Sequence, residues 1–206
     1  METNIYKYHS YKSIFLTMLF VFTFQFSNSQ IIESFTQRTS VYSPGKQIYN
    51  IQGDFTMIGN TNLTLDNYST SRGNQNMMIY VDEDSNSSTF NSSSATLELS
   101  EENGASPDCS NIIYAGLYWT GRSHNSDPSP LTFSVTKNSV TKEFDKRKVL
   151  IQGPNSSSYT EIVANANDIY YPETSDGYMF SAYAEVTDYV KQNGLGEYFV
   201  GDIALR

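Results

Sequence analysis

In the stretch Ile112-Ile113-Tyr114-Ala115-Gly116-Leu117-Tyr118-Trp119-Thr120, both alternating sets of side chains are apolar or aromatic. Successive side chains of an extended chain point to opposite faces, so Ile113, Ala115, Leu117 and Trp119 share one side and Ile112, Tyr114 and Tyr118 the other. A strand with two such faces is covered on both, which predicts a central strand in a layered β protein.

The flanking sequence repeats the period of two. Downstream, Leu131, Phe133 and Val135 alternate with Thr132, Ser134 and Thr136, and Lys137-Asn138-Ser139 offers a turn before residues 140–144 return, the pattern of a hairpin. Residues 149–152 and 159–164 flank Gly153-Pro154-Asn155, and residues 178–184 follow Asp176-Gly177, so each reads as a strand. Upstream, residues 77–81 set Met77, Ile79 and Val81 against Met78 and Tyr80. Residues 95–99 turn Ala95, Leu97 and Leu99 inward and Thr96 and Glu98 outward. The one helical period, Val186, Tyr189 and Val190, closes at Asn193-Gly194 and predicts a helix of two turns at most.

Residues 198–205 read as a further strand with Phe199, Ile203 and Leu205 on one face. Ending at Arg206, it would present an unpaired edge unless a following segment covers it, the pattern of a truncated chain. The polar tracts 60–75, 82–94, 122–130 and 154–158 hold too little apolar surface to pack and are expected as loops at the sheet ends. Asn-x-Ser/Thr triplets at Asn62, Asn67, Asn86, Asn91 and Asn155 are expected on exposed loops for the same reason. The fold expected is all-β, an antiparallel, jelly-roll-like β-sandwich with at most one short helix, formed by residues 30–206 as one module.

Residues 1–29 read as a cleavable signal peptide. Lys7 and Lys12 precede the apolar run 14–26, and Ser27-Asn28-Ser29 sets small residues before Gln30. That run is shorter than the roughly 20 apolar residues a bilayer-spanning helix needs, so no transmembrane segment is expected after cleavage and the product is secreted or held at the outer cell surface. The chain has a formal net charge of −9, and losing Glu2, Lys7 and Lys12 with the signal makes it −10. Such a charge repels phosphate backbones and argues against nucleic acid as a partner. Cys109 is the only cysteine, so the fold holds without an internal disulfide. The acidic setting of Cys109 favours a small structural role over a reactive or intermolecular thiol.

Residues Ile51-Gln52-Gly53-Asp54-Phe55-Thr56-Met57-Ile58-Gly59-Asn60-Thr61 and Tyr114-Ala115-Gly116-Leu117-Tyr118-Trp119-Thr120-Gly121 resemble the N-terminal region of very large surface proteins of gliding Bacteroidetes. Asp168-Ile169-Tyr170-Tyr171-Pro172, Tyr183-Ala184-Glu185-Val186-Thr187-Asp188-Tyr189-Val190 and Gly194-Leu195-Gly196-Glu197-Tyr198-Phe199-Val200 extend the resemblance through most of the mature chain. It implies a β-sandwich-like module heading a long adhesin-like polypeptide, exported by the general secretory route and then by the type IX secretion system. It brings no catalytic residues with it.

Several residues carry candidate chemistry. Asp82, Asp84 and Asn86 place oxygen donors at alternate positions of a loop, as a calcium site does, although Ser87 and Ser93 stand where an EF-hand needs Gly and Glu. A weak calcium site and a solvated turn both fit. Glu161, Asp168, Glu173, Asp176, Glu185 and Asp188 could supply the facing carboxylates of a glycoside hydrolase, but no spacing selects a pair. His124, the sole histidine of the mature chain, lies in a polar loop without a nucleophile elbow. Tyr114, Tyr118, Trp119 and Tyr170-Tyr171-Pro172 suit either core packing or stacking against sugar rings. The function expected is therefore non-catalytic, a structural or adhesive module whose partner is an extracellular protein or glycan. The alternatives are a carbohydrate-binding module or a fragment of a secreted carbohydrate-active enzyme.

Overall fold

The structure, a computed structural model, describes residues 36–42, 45–72, 76–100, 104, 106–122, 131–172 and 179–205. The expected signal peptide 1–29 lies outside the described residues, as do His124, Glu173, Asp176, Gly177 and Arg206. The chain divides into two compact units, Met1–Thr39 and Ser40–Arg206, and the second contains every described strand and the helix.

In chain order the strands are β1 (Leu63–Leu65), β2 (Met78–Tyr80), β3 (Ser92–Leu97), β4 (Gly116–Arg122), β5 (Thr132–Lys137), β6 (Val140–Asp145), β7 (Lys148–Gln152), β8 (Thr160–Val163), β9 (Ile169–Tyr170) and β10 (Met179–Glu185). The helix α1 (Thr187–Asn193) and β11 (Gly196–Gly201) follow. They form a four-stranded sheet in the order β3-β11-β7-β8, a three-stranded sheet β4-β10-β9, and the pairs β1-β2 and β5-β6. Every strand pairing is antiparallel, so the all-β sandwich-like expectation holds with a single α-helix among the described residues.

The core follows from the register. On β4 and β10, Leu117 stands opposite Ala184, Trp119 opposite Ala182 and Gly121 opposite Phe180, so these six share the inner face. Trp119, Phe180 and Ala182 are buried in one cluster with Phe90, Phe144, Val149, Ile203, Ala204 and Leu205. Ile151, Val186, Val190 and Tyr198 close a second cluster under α1, and Leu117 packs against both. The buried Trp119 indole donates Nε1–H to the Lys146 carbonyl at 3.0 Å, which satisfies the one polar atom its ring brings inside. Gly121 is required here, since a Cβ would stand 2.5 Å from the Phe180 ring and 2.7 Å from the Ala204 carbonyl.

The hairpin forms where expected, with Asn138 and Ser139 at φ 51° and 66°, the left-handed pair that a two-residue turn between twisted strands demands. Its Phe133 and Phe144 rings stack at 6.2 Å, and Phe90 meets Phe144 edge-on at 5.8 Å. Helix α1 also matches its expectation, with Val186 and Val190 buried and its end at Gly194.

Four expectations change. Residues 112–120 do not form a central strand, because β10 occupies the middle of the three-stranded sheet and β4 lies at its edge among the described residues. The last strand is not an edge, because β11 pairs with β3 on one side and β7 on the other. It stops at Gly201, since Asp202 takes φ 56° and breaks the alternation, and Ile203, Ala204 and Leu205 are then buried in succession. The polar tracts 60–75 and 82–94 are not simply loops, for they contain β1 and the start of β3. Two of the Asn-x-Ser/Thr asparagines, Asn62 and Asn91, are buried rather than exposed.

Polar residues are buried here because they bond one another. Asn91 Oδ1 accepts from Asn62 Nδ2 at 2.7 Å and from the Ile203 amide at 3.0 Å, while Asn91 Nδ2 donates to the Ile203 carbonyl at 3.0 Å. Ser93 Oγ donates to Asn62 Oδ1 at 2.5 Å, and Asn62 Nδ2 reaches the Val200 carbonyl at 3.0 Å. Asp202 Oδ1 accepts the Phe90 amide at 2.8 Å, and its other oxygen pairs with Lys142. A buried polar group costs stability chiefly when unpaired, so this network fastens residues 89–93 to the C-terminal segment alongside the packing of Phe90 against the core.

Candidate functional site

The acidic loop that follows β2 is a hub of hydrogen bonds. Asp84 Oδ1 accepts from Ser92 Oγ at 2.6 Å, from the Asn86 amide at 3.2 Å and from Thr89 Oγ1 at 3.2 Å, and Oδ2 accepts from Tyr159 Oη at 2.6 Å. Burial alone would raise the Asp84 pKa, but the bonds from Ser92, Tyr159, the Asn86 amide and Thr89 outweigh it and hold the carboxyl below its ordinary value. Tyr159 shifts upward, first through burial and then through its bond to the Asp84 carboxylate. Asp82 pairs with Lys137 Nζ at 3.1 Å, and Asn86 Oδ1 accepts the Ser88 amide at 3.0 Å. Asp82, Asp84 and Asn86 thus share one loop, but each turns its oxygens to donors of the protein. Among the described residues no three His, Cys, Asp or Glu side chains are grouped to hold a metal.

Of the carboxylates weighed for hydrolysis, Glu161 pairs with Lys148 at 3.0 Å and Asp168 accepts from Asn165 Nδ2 at 3.1 Å. Glu185 binds Ser40 Oγ at 2.8 Å, the Val41 amide at 3.0 Å and Thr187 Oγ1 at 2.9 Å. Each serves a separate local structure. Cys109 is exposed at the end of the single-turn 3-10 helix Pro107–Cys109, outside the core.

The aromatic residues sort by face. Trp119 points inward, while the register puts Tyr118 opposite Tyr183, Thr120 opposite Ser181, Arg122 opposite Met179 and Gly116 opposite Glu185 on the outer face. Tyr170, opposite Ser181, joins them, and Tyr171 packs inward against the core. The Tyr118 and Tyr183 rings lie 4.8 Å apart, Tyr114 Oη meets Tyr183 Oη at 2.5 Å, and Tyr49 covers Tyr114 at 5.8 Å. Gly116 makes this possible, since a Cβ there would stand 2.9 Å from the Tyr183 ring and 3.0 Å from the Tyr114 hydroxyl. Tyr118 is 61% exposed and Tyr114 43%, whereas Tyr183 beneath them is 6% exposed. Burial, then the Tyr114 bond and the Glu185 charge, keep Tyr183 protonated at any ordinary pH.

Sequence reasoning had Tyr114 and Tyr118 on one face, but it did not find Tyr183, Tyr170 or Tyr49 beside them. The alternation of residues 178–184 already contained Tyr183, and only the pairing with β4 brings it under Tyr118. Among the described residues no helix is long and apolar enough to cross a membrane. Comparison of the chain with protein-family models, with curated proteins and with solved structures finds no match.

Proposed function

We propose that the chain is a non-catalytic module of a secreted or cell-surface protein, with a structural and adhesive role at the N-terminal end of a larger adhesin-like polypeptide. The observation that carries this reading is the outer face of β4 and β10, where Tyr118 stands exposed over Tyr183, with Tyr114 beside it just ahead of β4, on a sheet whose other face is locked into the core. Aromatic side chains of this kind supply contact area at little cost in side-chain entropy, which suits a surface that holds a partner. The acidic loop and the Asn62–Asn91–Ser93 network serve rigidity, since their polar atoms bond within the module.

Export through the type IX route follows from the resemblance, and the leader-like residues 1–29 support its first step. The test has two parts. The protein recovered from outside the producing cell should begin at Gln30, and beads carrying it should adhere to surfaces that bare beads do not hold. Intact protein retaining Met1 in the cytosol, or beads that hold no better than bare ones, would overturn the proposal. The second reading, a carbohydrate-binding module, is favoured by the exposure of Tyr118 and Tyr114.

A further inference from the structure

We infer that Glu83 and Asn60 form a plug that shuts the β3 edge of the four-stranded sheet against strands of other copies of this chain. The inference does not depend on the adhesive reading above. β3 pairs with β11 on one side and stands at the end of the strand order on the other. Along an antiparallel strand the amide and carbonyl of one residue face the same side, and successive residues alternate. The Asn91 carbonyl, just ahead of β3, accepts the Asp202 amide on the β11 side, so Ser92, Ser94 and Thr96 turn their backbone groups outward. An outward row of this kind is a template for any free strand. The usual safeguards are missing from β3 itself, since Ser92-Ser93-Ser94-Ala95-Thr96-Leu97 carries neither charge nor proline, and small polar side chains specify register weakly. At the opposite edge of the sheet, β8 carries the charge of Glu161, paired with Lys148.

The safeguard comes from two other segments. The chain after β2 lies alongside Ser92 for a single parallel bridge, where the Ser92 amide donates to the Val81 carbonyl at 2.9 Å and its carbonyl accepts the Glu83 amide at 3.3 Å. The backbone then turns off through Ser85, at φ 51°. Side chains continue where it stops: Glu83 Oε2 accepts the Ser94 amide at 2.6 Å, and Asn60 Nδ2 donates to the Ser94 carbonyl at 2.9 Å. A carboxylate oxygen thus stands where an incoming strand would bring its carbonyl, and a carboxamide nitrogen where it would bring its amide. Among the described residues, exposed Thr96 is the one outward position of β3 that no other segment occupies. The hydrogen bonds of one residue do not offset the cost of bringing two molecules together.

The test is sedimentation velocity of the full chain over a range of concentrations, with Trp119 fluorescence to check that each variant is folded. The double variant Asn60→Ala, Glu83→Ala should self-associate with a constant at least about tenfold above that of the wild type. Adding Thr96→Pro should reverse the rise, because it deletes an outward amide that β11 does not use. Glu83→Gln alone keeps an acceptor oxygen for the Ser94 amide and should associate no more than the wild type. Amide hydrogen exchange of the wild type needs no variant and decides the matter should the double variant not fold: Ser94 should exchange markedly more slowly than Thr96. Unchanged association of the folded double variant, association that Thr96→Pro leaves in place, association of Glu83→Gln as strong as that of the double variant, or equally fast exchange at Ser94 and Thr96 would overturn the inference.

Discussion

Replacing Asn91 by Ala tests how much the buried hydrogen bonds add to the packing of Phe90 in fastening residues 89–93 to the C-terminal segment. The Asn91 side chain is fully buried, and its removal deletes three hydrogen bonds. Asn62 Nδ2 keeps the Val200 carbonyl, so the loss falls on the Ile203 amide and carbonyl, at a residue only 9% exposed. A buried backbone group stripped of its partner costs about 1–3 kcal/mol, so the two together cost about 2–6. Water entering the space left by the side chain favours the lower half, about 3 kcal/mol. For a domain of this size that lowers Tm by about 6–12 °C.

Thermal melts followed by Trp119 fluorescence, with urea midpoints alongside, would measure it. Asn91→Leu separates bonding from volume: it refills the space but leaves the same two groups unpaired, so it should lose about as much as the Ala variant. Asn50→Ala at an exposed position should stay within about 0.5 kcal/mol. If Asn91→Ala matched Asn50→Ala, or if Asn91→Leu restored full stability, the network would not be what holds this segment.

Other outcomes follow from the same geometry. Gly121→Ala should lose about 1–3 kcal/mol by driving a methyl into the Phe180 ring and the Ala204 carbonyl, and an unchanged melt would refute that contact. Acid should destabilise the fold through Asp84 and Asp145, where bonds from Ser92 and Tyr159, and from Arg147, outweigh burial and hold each carboxyl below 3.8. A depressed pKa contributes stability in full above the unfolded value and loses it as pH falls towards the folded one. Urea midpoints should therefore be flat with respect to these groups above about pH 5 and drop below about pH 4. Asp84→Asn should make that drop shallower, and an identical slope would sink the assignment. Millimolar calcium should move Tm by no more than about 1 °C, because Asp84 already accepts four protein donors. A rise of several degrees over a chelated sample would show that Asp82, Asp84 and Asn86 rearrange around the ion.

Alternation along the chain was enough to place β5, β6, β7, β8 and β10 and the short helix, because a period of two and a closing Asn-Gly are local signals. It also separated Trp119 from Tyr114 and Tyr118. Alternation says nothing about neighbours, however. Whether β4 or β11 stands in the middle of a sheet depends on pairings between residues far apart in sequence, and those reversed the expected positions of both. Polarity misled in the same way at Asn62 and Asn91, whose burial is tolerated because Val200 and Ile203, more than a hundred positions away, bring the missing partners. The tyrosine face has the same origin: the sequence determined that Tyr118 and Trp119 point opposite ways, but only the second layer, packing on Trp119, left Tyr118 outside.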